Sequence, residues 1–185
     1  TMVDDALLDA VAEEEKVCAY LDVPLQHVDN DVLRRMGRAS DEAGVRALVA
    51  RMRERVPGVS LRTSFIVGFP GETDDAFARL LDFVVESEFD HCGVFAYSPE
   101  DGTPSADWEG QVPDDVKEER FMELVATQTE VAIASRAEYV GRTVEVLVDG
   151  RKSGEGVVEA RMRRQAPEID DVVYLEAEGV KSGAL

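Results

Sequence analysis

Polar and apolar residues alternate most regularly from Leu61 to Phe69. Leu61, Thr63, Phe65 and Val67 fall on one side of this stretch and Arg62, Ser64 and Ile66 on the other. A period of two with branched and aromatic residues predicts a buried β-strand. The alternation stops at Gly68-Phe69-Pro70-Gly71, and Glu72-Thr73-Asp74-Asp75 opens a helix. Thr73 is the predicted cap, with Asp74 and Asp75 facing the positive end of the helix dipole. Phe77, Leu80, Leu81, Val84 and Val85 then recur at helical spacing. Upstream, Leu7, Leu8, Val11 and Ala12 predict a helix within residues 1–19. Tyr20 to Gln26 reads as a short strand with Leu21, Val23 and Leu25 on one face, and Pro24 predicts a bulge or sheet edge. Asp29-Asn30-Asp31 caps a short helix holding Leu33 and Met36. A longer helix after Ser40 carries Val45, Leu48, Val49, Met52 and Val56, with Arg46, Arg51, Arg53 and Arg55 as a solvated row.

Downstream, Cys92, Val94 and Ala96 alternate with Gly93, Phe95 and Tyr97 in a third strand, His91 to Tyr97. Ser98 to Pro104 is rich in turn residues. Pro113 with Asp114-Asp115 starts a long helix over 113–139, lined by Phe121, Leu124, Val125, Gln128, Ala132 and Ser135. The order β, α, α, β, α, β with short connections predicts a parallel sheet with right-handed crossovers, about three βα units of a barrel. From Gly141 the texture changes. Thr143 to Val148, Gly156 to Ala160 and Val172 to Leu175 read as strands, with Asp149-Gly150 as a turn. The expected fold class is therefore α/β: a partial parallel βα barrel over 1–112, a connecting helix over 113–140, and a small all-β appendage over 141–185.

Composition narrows the partners. The chain of 185 residues carries a formal charge of −19. Residues 1–140 hold 30 Asp and Glu against 13 Lys and Arg, while residues 141–185 hold 9 against 7. Phosphate contacts need clustered cations, so non-specific nucleic-acid binding is disfavoured and a basic partner fits. The cluster Arg161, Arg163 and Arg164 reads as a solvated edge. Cys18 and Cys92 are isolated in sequence, which suits a reducing compartment. There is no apolar run of about 18 residues and no signal peptide, so no membrane partner is expected and a cytoplasmic location is the default.

Candidate chemistry lies at the carboxyl ends of the strands, where parallel α/β folds bind ligands. Gln26 and His27 end the first strand. Gly68 and Gly71 lack a Cβ and would let a planar or sugar-bearing ligand approach the backbone. A tight βα turn without a ligand accounts for the same glycines, and a hydrogen-bonded loop residue accounts for His27.

Four stretches stand in one order: YLDVPLQH (20–27), RTSFIVGFPGET (62–73), VFAYSPEDGTPSA (94–106) and APEIDD (166–171). Together they resemble the methylthiotransferase family of radical S-adenosylmethionine enzymes, closest to the RimO-type branch that modifies an aspartate of a ribosomal protein. The tail resembles the start of a TRAM domain, a small β-barrel. The resemblance implies an amino-terminal cluster-binding domain, a radical SAM barrel and a TRAM domain. It also implies S-adenosylmethionine and two [4Fe–4S] clusters as cofactors, one cluster held by a CxxxCxxC motif. That motif does not occur here, so the chain is expected to be a carboxyl-terminal piece, inactive alone. By the same resemblance, Gln26 lies near the ribose and methionine end of the cofactor. Ile66, Gly68, Phe69, Gly71 and Glu72 match the adenosyl-contacting GxIxGxxE turn, and Phe95, Ala96 and Tyr97 contact adenine. Ser64 replaces the motif's first glycine and Glu72 sits one residue late, which leaves its role open. Arg62 is a candidate for the cofactor carboxylate, with a salt bridge to a neighbouring acid as the alternative.

The implied chemistry is reductive cleavage to a 5′-deoxyadenosyl radical, hydrogen abstraction from an aspartate β-carbon, and methylthio transfer from the second cluster. A basic ribosomal protein is the implied substrate. A transfer-RNA methylthiotransferase of the same family is the nearest rival, although PLQHVD replaces the serine-rich PVQSGS-like sequence of that branch. A non-catalytic binding module using the β tail is a second rival. A barrel enzyme with His27 and Glu72 as acid and base is a third.

Overall fold

A computed structural model describes residues 3–154, 156–176 and 180–185, so Met2 lies outside the described residues. Two sheets are joined by one long helix. The first holds β1 (Tyr20–Asp22), β2 (Ser60–Val67) and β3 (His91–Ala96), all parallel, in the order β1-β2-β3. Helices α1 (Asp5–Glu13), α2 (Asn30–Arg35), α3 (Glu42–Arg55) and α4 (Asp74–Ser87) cover it, and α5 (Asp114–Ala137) crosses behind β3. The second sheet holds β4 (Leu147–Gly154), β5 (Val157–Arg161) and β6 (Val173–Glu176), all antiparallel.

The alternation of β2 appears as expected: Leu61, Thr63, Phe65 and Val67 are buried, while Arg62, Ser64 and Ile66 are half-buried. Phe65 packs edge-on against Phe83 of α4 and against Phe89, in a core shared with Leu33, Met52 and Leu124. The first strand is shorter than its alternation predicts. β1 ends at Asp22; Val23 N still donates to Arg62 O at 2.9 Å and Thr63 Oγ1 bridges Val23 O and Leu25 N, and paired strand geometry returns at Gln26, whose N–H donates to Ser64 O at 2.8 Å and whose carbonyl accepts from Ile66 N at 2.8 Å. Pro24 removes a ladder donor between these points, and Gln26 itself has φ 74°. Only Leu8 of the first helix is fully buried.

The arginine row of α3 is not simply solvated. Arg46 pairs with Glu42 and Glu86, Arg53 donates to Ser87 O and Glu88 O, and Arg55 pairs with Asp9. These arginines clip α1 and α4 onto α3, which a periodicity argument about one helix does not reach. Asp149-Gly150 is likewise not a hairpin turn. Gly150, at φ 82°, makes an irregularity inside β4, where the register to β5 shifts between Val148 and Lys152. The carboxyl tail returns along that strand, with Gly183 N donating to Val148 O at 2.9 Å and Val148 N to Ala184 O at 3.0 Å.

The appendage is tied to the barrel segment through the 166–171 stretch. The Asp170 side chain is fully buried; it accepts from Arg62 Nη1 at 2.8 Å, from Tyr20 Oη at 2.8 Å and from Ala166 N at 2.7 Å. Arg163 donates to Glu15 O at 2.7 Å, and Arg164 pairs with Asp90 and hydrogen-bonds Tyr139. The expected solvated edge at Arg161, Arg163 and Arg164 is thus corrected: Arg163 and Arg164 bind the barrel and Arg161 pairs with Asp149.

Candidate functional site

The three parallel strands deliver their carboxyl ends to one rim. Ile66 stands beside Phe95 in the β2–β3 register, and Gln26 is bonded to Ile66 on the other side. Phe95 is 56% exposed, so Ile66 and Phe95 form an open apolar surface at the end of the sheet. Tyr97 N donates to Val67 O at 2.8 Å. Because backbone groups alternate along a strand, the N–H and C=O of Ala96 then point away from β2, at an edge that pairs with no strand among the described residues. Tyr97 Oη is buried and has no hydrogen-bond partner among the described residues. Phe69 meets the Tyr97 ring at 5.0 Å and Trp108 at 6.0 Å, both edge-on. A pocket of about 340 Å³ opens between Gln26, Ile66, Phe69 and Trp108.

The glycines do a different job from the one expected. Gly68 (φ 72°) and Gly71 (φ 88°) adopt the left-handed backbone that only glycine takes cheaply. A Cβ at Gly68 would lie 2.3 Å from Lys117 Cγ, and one at Gly71 would lie 2.7 Å from Arg35 Cζ. The close approach is made by the protein's own side chains, so at these two positions the structure supports the tight-turn account.

Glu72 faces inward. Its carboxylate accepts from the Gly68 N–H and from His27 Nε2 at 3.3 Å, and lies 3.4 Å from Arg120 Nη1. The His27 and Glu72 side chains are both 0% exposed. Asp29 N donates to His27 Nδ1 at 2.9 Å, which leaves the ring proton on Nε2, directed at Glu72. Asp29 in turn caps α2 and pairs with Arg79 at 2.7 Å. Burial pushes the Asp29 carboxyl up. The Arg79 hydrogen bond and the N–H groups of Val32 and Asp31 outweigh it and hold the group below the ordinary carboxylate range. The result is a sealed bridge from the β1 end through the βα turn to α5. It holds the rim from behind and has no face toward a ligand.

Arg62 lies near the amino end of β2, four residues before Ile66 at the rim. It pairs with Asp170 and, at 3.4 Å, with Asp22, which is the salt-bridge alternative for this residue. The motif brings Gln26, Ile66, Phe69, Phe95, Ala96 and Tyr97 together at the rim and leaves Arg62 outside it. Lys117 and Arg120 were missed. Their spacing with Leu124 and Gln128 is helical and marks a buried face of α5, but charged residues there hide the signal.

Radical SAM superfamily sequences match residues 1–84, and the TRAM domain matches residues 140–185. Over 182 residues the chain is 46% identical to ribosomal protein uS12 methylthiotransferase RimO of Geotalea uraniireducens, covering 98% of this chain and 41% of that protein. Its counterpart in Syntrophotalea carbinolica is 49% identical over 176 residues, covering 95% and 39%. The chain holds a radical SAM segment followed by a TRAM domain, and over nearly its whole length it is similar to proteins named RimO. It spans about two fifths of the length of the curated relatives it matches. Among solved structures, the radical SAM coproporphyrinogen III oxidase HemN of Escherichia coli superposes with a TM-score of 0.57 at 20% identity, covering 88% of this chain and 44% of that one. Methylornithine synthase PylB gives 0.51 at 15% identity, covering 68% and 36%. Both similarities speak for the fold.

The family implies S-adenosylmethionine and iron–sulfur chemistry. The rim fits an adenosyl group: it offers an apolar platform, free backbone groups at Ala96 and an unpartnered buried hydroxyl at Tyr97. The two cysteines do not fit a cluster. Cys18 is exposed and Cys92 lies on β3, where burial pushes its thiol up to about 12, against the thiolate that iron requires.

Proposed function

We propose that this chain supplies the adenosyl-binding rim and the substrate-docking appendage of a cytoplasmic methylthiotransferase. The enzyme places a methylthio group on the β-carbon of an aspartate in the small-subunit ribosomal protein uS12. The observation that carries this reading is the convergence of Gln26, Ile66, Phe69, Phe95, Ala96 and Tyr97 on one rim of a segment 46% identical to a RimO. S-adenosylmethionine bound there supplies, on reductive cleavage, the radical that removes hydrogen from the unactivated carbon. Two [4Fe–4S] clusters complete the enzyme, with ligands outside this chain.

The roles of this chain's residues are binding, orientation and water exclusion. Ile66 and Phe95 would form the apolar platform for the purine, and the Ala96 N–H and C=O would be available to its edge. Tyr97 Oη would offer a hydrogen bond, and Gln26 would lie on the ribose side. Glu72, His27 and Arg120 keep the Gly68–Glu72 turn in place without touching the cofactor. Among the described residues no helix is long and apolar enough to cross a membrane.

The charge of −19 favours a basic protein over a nucleic acid, and Glu100 and Asp101, exposed in the loop that follows β3, are candidate contacts. The test uses the full-length, cluster-loaded enzyme. Its affinity for uS12 should fall as salt rises, since the Debye length is about 10 Å at 0.1 M. Affinity should fall again in the double variant Glu100→Lys, Asp101→Lys. Tight binding of a transfer-RNA anticodon arm with no affinity for uS12 would transfer the enzyme to the other branch. Unchanged uS12 affinity in the double variant would mean that these acids serve solubility alone.

A further inference from the structure

We infer that the free edge of β3 takes an extended segment of the protein substrate as an added strand, paired through the backbone of Cys92 and Val94. The inference rests on the function proposed above and names how that substrate is held between the appendage and the rim.

Tyr97 N bonds Val67 O, so by alternation the N–H and C=O of Phe95 and Gly93 also face β2, and those of Cys92 and Val94 face outward with Ala96. No strand among the described residues pairs there. Ala96 lies at the rim and serves the cofactor in the reading above, which leaves the donors and acceptors of Cys92 and Val94 in a row. Edge strands are ordinarily blunted by lysine, proline or a bulge. The strand His91–Ala96 reads HCGVFA, with neither residue, and its register to β2 runs unbroken from Arg62 beside His91 to Val67 beside Ala96. The edge is built as a regular template for pairing.

A cavity of about 230 Å³ opens along the amino-terminal half of this edge, lined by Cys92 and Val94, by Gln128 of α5 and by Ile169 of the appendage. Its charges are already matched: Arg62 with Asp170, Arg136 with Asp171, and Asp90 with Arg164. Two buried groups on its lining residues are not. Gln128 is 7% exposed; its Nε2 donates to Phe89 O at 2.8 Å, a carbonyl that can only accept, and its Oε1 has no hydrogen-bond partner among the described residues. Arg62 Nε, a donor, is in the same state. With the charges paired, one spare acceptor and one spare donor suit an uncharged amide, as a peptide group or a carboxamide side chain supplies.

The charge of the partner follows from the loop that continues β3. Glu100 and Asp101 are exposed there, in a chain with 39 acids against 20 bases, so the segment that fits is basic beyond its paired stretch. From Cys92 to Ala96 the strand advances four residues, about 13 Å at about 3.3 Å per residue. Backbone pairing along it carries a substrate segment from the appendage to the reacting end of the sheet, whatever its side chains.

The test uses the full-length, cluster-loaded enzyme and synthetic uS12 peptides containing the target aspartate, each with one backbone N–H replaced by N-methyl. Fluorescence anisotropy should show a loss of affinity of at least about tenfold at two positions two residues apart and less than about twofold at the residue between them, because only alternate N–H groups face β3. Hydrogen exchange resolved to single residues should slow at the Cys92 and Val94 amides by at least about tenfold when uS12 is added. A scan without the period of two overturns the inference. So do Cys92 and Val94 amides whose exchange uS12 leaves unchanged, including amides already slow in the free enzyme. In either case an enzyme that still modifies uS12 keeps the proposed substrate. An enzyme that neither binds nor modifies uS12 refutes that substrate, and the inference with it.

Discussion

Replacing Glu72 by alanine should destabilise the fold far more than it disturbs any ligand contact. The carboxylate is the common acceptor for the Gly68 N–H and His27 Nε2, with Arg120 Nη1 at 3.4 Å. Without it, the Gly68 and His27 donors are stranded where the His27 side chain is 0% exposed. A buried donor left unsatisfied costs about 1–3 kcal/mol. Arg120 is less affected, because it keeps Asp74 at 2.6 Å and the Glu72 carbonyl at 3.3 Å. The expected loss for Glu72→Ala is about 3–5 kcal/mol, the range for breaking a buried charged pair. Glu72→Gln retains an acceptor oxygen and should lose about 1–2 kcal/mol. Urea unfolding of the protein carrying this segment measures both, followed by circular dichroism and by the fluorescence of Trp108, the one tryptophan of these 185 residues, which packs on Phe69 at the rim. A loss below about 1 kcal/mol in Glu72→Ala would refute the argument from stranded donors. So would a Glu72→Gln enzyme with wild-type stability and cofactor affinity but no turnover, since that pattern belongs to an acid–base residue.

Two further outcomes follow from buried charges. The Asp29 carboxyl is held below its ordinary value of 3.8, so its contribution is complete above that value and is lost as pH falls through the lowered one; Asp29→Asn should be less stable than wild type near neutrality, with the difference closing as the pH drops below about 4 in an acid-unfolding series. Asp170→Asn removes the charge facing Arg62 and His91, and should speed proteolytic separation of the appendage from the barrel segment without changing the helical content seen by circular dichroism.

The elements were legible wherever a period ran unbroken. The alternation of β2, the Thr73 cap of α4 and the apolar stripe of α4 are all local; the first two appear as read, and the stripe holds at Phe77, Leu80 and Val84, while Val85 is exposed and Phe83 is in the core instead. The residues at the rim were legible through the family resemblance, because Ile66, Phe95 and Gln26 sit at strand ends that the topology brings together. What could not be read is pairing at a distance. Asp170 meets Arg62 across 108 residues, and His27 meets Glu72 across 45. Nothing within either local stretch announces the partner. Gly68 and Gly71 show the other limit. Their types were readable as special, but whether a ligand or Lys117 and Arg35 fill the space beside them depends on α5 and α2 packing onto the turn.

The most direct test of the account is a crystal structure of the full-length enzyme with S-adenosylmethionine bound. The rim geometry predicts the adenine against Ile66 and Phe95, its edge toward the Ala96 backbone, and the ribose beside Gln26. A second cavity, of about 230 Å³, lies between the sheet and the appendage, lined by Arg62, His91 and Asp170. Adenosyl density in that cavity, with the rim unused, would contradict the assignment of the cofactor to the carboxyl ends of these strands.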